Sequence, residues 1–284
     1  MKRRISCRVC NEEGVCRDDL SREEVLHTWI EPFVDHYQLD LSGLLGFMFT
    51  PKLALSQYGA EFLRRKNGQS YILISEEMWE NAQTRLIDLR IMQNTLQHEL
   101  AHVHNNNSLQ TLAGKMIYIV EEHRIDWSFM MFRFWDEFFA AQLAAASEPP
   151  GLLQSKMTGI LTEARLLART MNGFHSERHR EREQHMQSLF LACVYLAGSY
   201  SGNEELRLAI LEGSLRKSVF VRSICKVAET GERMLQTYPF THYRAMLPLA
   251  EAYLHFCQEM DRTYRPLWRR IVSPLKVGKL MAFD

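Results

Sequence analysis

The chain has 284 residues, 46% hydrophobic and 24% charged, with 14 Gly and 8 Pro; this composition suits a globular protein with a sizeable core and excludes a disordered or fibrous one. Lys plus Arg and Asp plus Glu each number 34, so the formal net charge is zero and no global positive field exists to gather nucleic acid or anionic membrane. At this length, two subdomains sharing a cleft are expected.

The start, Met1-Lys2-Arg3-Arg4-Ile5-Ser6-Cys7, is basic but leads into Arg8, Asn11, Glu12 and Glu13, not into the apolar run of a signal peptide, so export is not indicated. Residues 1–17 show no clear period. Of the six cysteines, Cys7, Cys10 and Cys16 sit near the start while Cys193, Cys225 and Cys257 are scattered, which reads as free thiols in a reducing cytosol rather than a disulfide framework. An amphipathic helix begins at an Asp18, Asp19 or Ser21 cap and carries Val25, Leu26, Trp29, Ile30, Phe33 and Val34 as its stripe, ending near Tyr37. Strand signals follow at 46–50, 53–55 and 70–75, making a small sheet.

Ser75 caps the next helix, whose period runs through Ile87, Ile91, Thr95 and His98 to about Val103, where Asn105-Asn106-Asn107 is read as a break. A second long helix spans about 109–146 and stops at Pro149-Pro150-Gly151. Its stretch from Trp127 to Ala146 is the most apolar in the chain, yet Arg133, Asp136 and Glu137 interrupt it, and it lacks the ~18 uninterrupted apolar residues of a membrane span. Beyond it the pattern is all helical, at about 152–171, 175–199, 203–213, 216–237 and 241–263. The expected fold is α+β, mainly α. Residues 1–38 form an N-terminal segment and helix, 39–147 a core of small sheet and long helices, and 148–284 a helical subdomain.

The chemistry resides in His98-Glu99-Leu100-Ala101-His102. Two histidines at i and i+4 present their imidazoles on one helix face, close enough to hold one Zn²⁺. Zinc lowers the pKa of a coordinated water, and the neighbouring Glu99 carboxylate can take its proton as general base. A catalytic zinc also wants a third protein ligand, and the next helix offers Glu121, Glu122 and Asp126. Glu122 is preferred because Tyr118, Glu122 and Asp126 recur every four residues on one face, whereas Glu121 points about 100° away. Asp126 can then accept the far N–H of a ligand histidine and set its tautomer.

These residues resemble the gluzincin branch of the zincin metallopeptidases, the thermolysin type, which uses His-Glu-x-x-His followed by Glu-x-x-x-Asp on a second helix. Here those positions are His98, Glu99, His102, Glu122 and Asp126, and the resemblance covers about 60 of the 284 residues. It implies an edge strand before the motif helix that pairs with substrate backbone, a place taken by Ser70 to Ser75. The order of helix, small sheet and motif helix is also similar to the ImmA/IrrE-type bacterial zinc peptidases, without their Glu-x-x-Ala-Asn segment.

The expectation is therefore a cytoplasmic zinc metallopeptidase that hydrolyses peptide bonds. His98, His102 and Glu122 bind the metal, Glu99 is the base and Asp126 the orienting carboxylate. A peptide or protein is its substrate, a regulatory protein is a possible partner, and neither nucleic acid nor membrane is. The alternative is a non-enzymatic helical interaction protein that retains the zinc site. Oxyanion donors are sought among Tyr118, His175, His179, His185, His242 and Tyr243, while a structural zinc on Cys7, Cys10 and Cys16, with His27 as a possible further ligand, is the weaker reading of the cysteines.

Overall fold

A computed structural model describes residues 5–11, 13, 15–51, 59–64, 69–109, 112, 127–170, 177–213, 215–216 and 218–264. The strands are β1 (Ser6–Cys10), β2 (Cys16–Asp18), β3 (Leu44–Thr50), β4 (Ala60–Arg64) and β5 (Ser70–Ser75). The helices are α1 (Leu20–Tyr37), α2 (Glu76–Thr84), α3 (Leu86–Ser108), α4 (Trp127–Ala144), α5 (Pro150–Thr170), α6 (Glu177–Gly202), α7 (Glu204–Glu212), α8 (Val219–Leu235) and α9 (Leu247–Tyr264). The architecture is α+β and mainly helical.

The sheet order is β2-β1-β3-β5-β4, with β1, β3 and β5 parallel and the outer strands antiparallel to their neighbours. Three strands, β1, β2 and β4, lie where none was expected. Ile5 and Cys7 are buried against β3, so the first residues complete the sheet, but β1 is only five residues long and β2 is exposed throughout, too little pattern to register. The strand predicted at 53–55 lies outside the described residues. Cys10 and Cys16, expected as thiols, are joined as a disulfide across the β1–β2 hairpin, because the antiparallel register sets them opposite each other; Cys7 stays a buried free thiol, and His27 faces the main chain of Ile5 rather than a cysteine.

Asp19 provides the α1 cap, accepting from the Ser21 and Arg22 N–H groups. Leu26, Ile30 and Phe33 then pack with Leu44, Phe47, Phe49, Ile72 and Ile74 in the sheet core. The helix expected after Ser75 is two helices, since Arg85 is extended (φ −133°, ψ 125°) between α2 and α3. Nor does α3 stop near Val103. Asn105, Asn106 and Asn107 continue it because each side chain has a partner: Asn105 bonds to Asp136 and Trp135, Asn106 donates to the His102 carbonyl, and Asn107 to the Asp40 carbonyl. Asparagine disfavours helix when its amide competes for local backbone; here two of the three amides are held by other elements.

α3 is buried on two sides. Met92, Leu96, Leu100 and Val103 enter the sheet core, while Asn94, His98, His102 and Asn105 meet α4 or β4. A second core, around Trp135, Phe138, Phe190, Phe220 and Phe256, joins α4 to the C-terminal helices. The motif helix thus lies at the seam between the two cores.

Close approach of α6 to α4 depends on glycine. A Cβ at Gly198 would lie 2.5 Å from the Phe138 carbonyl oxygen and 2.7 Å from the Ala141 Cβ. Although alanine is the better helix former by about 1 kcal/mol, Gly198→Ala is expected to destabilise the fold by about 1–3 kcal/mol through overpacking. A lower urea midpoint at unchanged m-value is the expected reading, and a higher midpoint would refute the packing account.

Candidate metal centre

The Nε2 atoms of His98 and His102 face each other 3.0 Å apart, and both rings are almost sealed from solvent, at 8% and 7% exposure. One ligand atom each from His98, Glu99 and His102 fall within 4.8 Å of one another. Four-residue spacing on α3 accounts for this convergence.

Two further carboxylates come from α4. Asp136 Oδ2 lies 2.9 Å from His102 Nδ1, and Glu137 Oε2 lies 3.4 Å from His98 Nε2. The Asn105 amide donates to Asp136 Oδ1 at 2.6 Å while Asn105 accepts from the Trp135 indole at 3.0 Å. Asp136 is thereby placed at the outer nitrogen of His102, leaving Nε2 as the nitrogen that faces His98.

The donor set fits a zinc-like ion. Ligand distances of about 2.0–2.2 Å in a tetrahedron place neighbouring donor atoms roughly 3.3 Å apart, comparable to the 3.0 Å between the two Nε2 atoms, and Glu137 Oε2 lies at a similar 3.4 Å from His98 Nε2. Electrostatics agree with a cation at this point. Burial pushes the Glu99 carboxyl up to about 7, against the pull of His102. Burial also lowers His98. For His102, burial is outweighed by the Asp136 carboxylate, which raises the imidazole to about 10; Glu137 is held well below the carboxylate range, its burial outweighed by His98 and His102. Several acidic oxygens thus crowd two imidazoles in a poorly solvated space, an arrangement that a divalent ion relieves.

The helical half closes over His98. The Tyr195 ring from α6 lies 5.2 Å from the His98 ring, centroid to centroid. Lys156 places its ammonium 3.5 Å over Tyr195 and pairs with the buried Glu148 at 2.8 Å, which accepts from Ser199 at 2.5 Å.

From the other side comes β4. Phe62 lays its ring over His102 (centroids 6.3 Å apart, 17° between planes), and its main-chain N–H donates to Glu99 Oε2 at 2.8 Å. Among the described strands, the edge beside the motif helix is therefore β4, not Ser70 to Ser75: β5 is hydrogen-bonded on both sides, to β3 and β4. Its run of buried Tyr71, Ile72 and Ile74 is the mark of an interior strand.

Of the sequence-predicted residues, His98, Glu99 and His102 come together, while Glu122 and Asp126 lie outside the described residues, as do Tyr118 and His175. Among the other oxyanion candidates, His185 pairs with Glu163 and Tyr243 donates to the Leu112 carbonyl. Asp136, Glu137, Tyr195 and Phe62 were missed as site residues. One signal was present: an adjacent pair of carboxylates inside the most apolar helix, where burial demands a partner. No described helix is long and apolar enough to cross a membrane. No protein-family model, curated protein or solved structure matches this chain.

Proposed function

We propose that the chain is a zinc-dependent metallopeptidase. The observation that carries this reading is the convergence of His98 and His102 through their Nε2 atoms, 3.0 Å apart, with Glu99 beside them. Zinc, when bound, would activate water and polarise the scissile carbonyl. His98 and His102 would hold it, and Glu137 is the third ligand we favour among the described residues because its Oε2 lies 3.4 Å from His98 Nε2. Glu122 is the alternative third ligand from the sequence pattern.

The remaining roles belong to this chain's own groups. With metal in place of the second proton on His102, Asp136 at its Nδ1 would leave Nε2 as the nitrogen presented to the metal. Glu99 accepts a proton from the attacking water and can return it to the leaving amine. Phe62 and Tyr195 flank the two imidazoles and keep bulk water from them. Peptides and proteins are the substrate class that this combination of base and metal site suits. The test is cleavage of a peptide library by the zinc-loaded full chain. Cleavage is expected to stop on chelation and return with added zinc; cleavage that persists after chelation, or none with one zinc bound, would reject the proposal.

A further inference from the structure

The β4–β5 ladder leaves one backbone donor aimed at the proposed base. Ser75 N–H donates to the Gly59 carbonyl at 2.7 Å, and the register continues Glu61 opposite Leu73 and Leu63 opposite Tyr71. In an antiparallel pair every second residue exchanges ladder bonds, so residues 59, 61 and 63 face β5 and the N–H of Phe62 points away from the sheet. An outward N–H on an edge strand is ordinarily left to solvent or to an incoming strand. Here it is not: it donates to Glu99 Oε2 at 2.8 Å. The same residue spreads its ring over His102. One residue of the edge strand thus touches both the base and a histidine of the motif.

We propose that Phe62 is a positioning residue for Glu99, its main-chain N–H holding one carboxylate oxygen so that the other is presented to the water between the base and the metal site. This rests on the peptidase reading. An acidic side chain with several rotatable bonds loses rate when its proton-accepting oxygen wanders, and a fixed backbone donor removes that freedom without adding a second charge. It also means that a substrate strand laid along β4 finds this N–H already committed.

The sheet supplies its own test. Because the Phe62 N–H is outside the ladder, proline can replace it without removing a strand–strand bond. Phe62→Pro and Phe62→Ala both lose the ring, but only the first loses the donor. In the zinc-loaded full chain, kcat for Phe62→Pro is expected to fall roughly tenfold or more below that of Phe62→Ala, with KM for the two within about twofold. Equal kcat values, or a difference confined to KM, would overturn the proposal. Amide exchange followed by NMR provides a readout that needs no turnover. The Phe62 amide is expected to exchange roughly tenfold or more slowly in the parent chain than in Glu99→Ala, with Glu61 and Leu63 unchanged. A Phe62 amide that exchanges equally fast in both, in a chain that still cleaves peptide, overturns the positioning role and leaves the peptidase reading standing. A protected Phe62 amide in a chain that cleaves nothing overturns the peptidase reading, and with it any catalytic consequence of the contact.

Discussion

Replacing Glu99 by Gln is expected to leave about one zinc ion per chain while lowering kcat for peptide cleavage by roughly 10²–10⁴-fold, the usual worth of a positioned general base. Gln keeps the volume and can still accept the Phe62 N–H through its carbonyl, so the contact at β4 survives. What it cannot do is take a proton. Zinc content is measured by atomic absorption and activity on the same sample; undiminished cleavage would sink the role of Glu99. The pH profile offers a second check. Without metal, burial raises the Glu99 carboxyl to about 7, and a nearby dication favours the ionised form. Since the base works deprotonated, kcat/KM is expected to rise with pH through an acid limb centred below about 7, and Glu99→Gln should abolish that limb.

The second large effect concerns the third ligand. Glu137→Gln is expected to weaken zinc binding by more than the roughly 10–100-fold that loss of an outer orienting partner costs, and Asp136→Asn to weaken it within that range. The two neighbours act differently: Glu137 reaches His98 on the inner nitrogen, whereas Asp136 reaches His102 on the outer one. Glu122→Gln belongs in the same chelator-competition series. Near-parent affinity in Glu122→Gln together with a loss in Glu137→Gln supports α4 as the source of the ligand; the reverse pattern restores the expectation from the Glu-x-x-x-Asp spacing. Because both acidic residues on α4 are largely enclosed, each variant also needs a thermal melt to show that it folds.

Helical chemistry was legible in the sequence because it is local. The i, i+4 spacing of His98 and His102 defines a shared face whatever surrounds the helix, and the structure brings their Nε2 atoms together as that spacing predicts. The mainly helical α+β class was legible for the same reason, since apolar period carries over a whole helix such as α1; in α3 the helix was legible but its stripe was not, for Ile87 is exposed and the core takes Met92, Leu96, Leu100 and Val103 instead. Short strands were not. β1, β2 and β4 have three to five residues each, and their identity rests on pairing with residues remote in sequence.

By itself, then, the sequence determined which side chains could share a metal and which neighbour could act as base, since four residues along a helix set those distances. Only the tertiary structure decided what meets them. Asp136 and Glu137 approach His102 and His98 from about 35 residues away on α4, through helix packing that no spacing rule specifies. Phe62 reaches Glu99 because β4, rather than the more apolar β5, holds the sheet edge, and the Asn105 amide is helical because Asp136 and Trp135 take its polar atoms. Each is a long-range contact between buried polar groups, and a buried polar group is settled by the partner it finds in the fold.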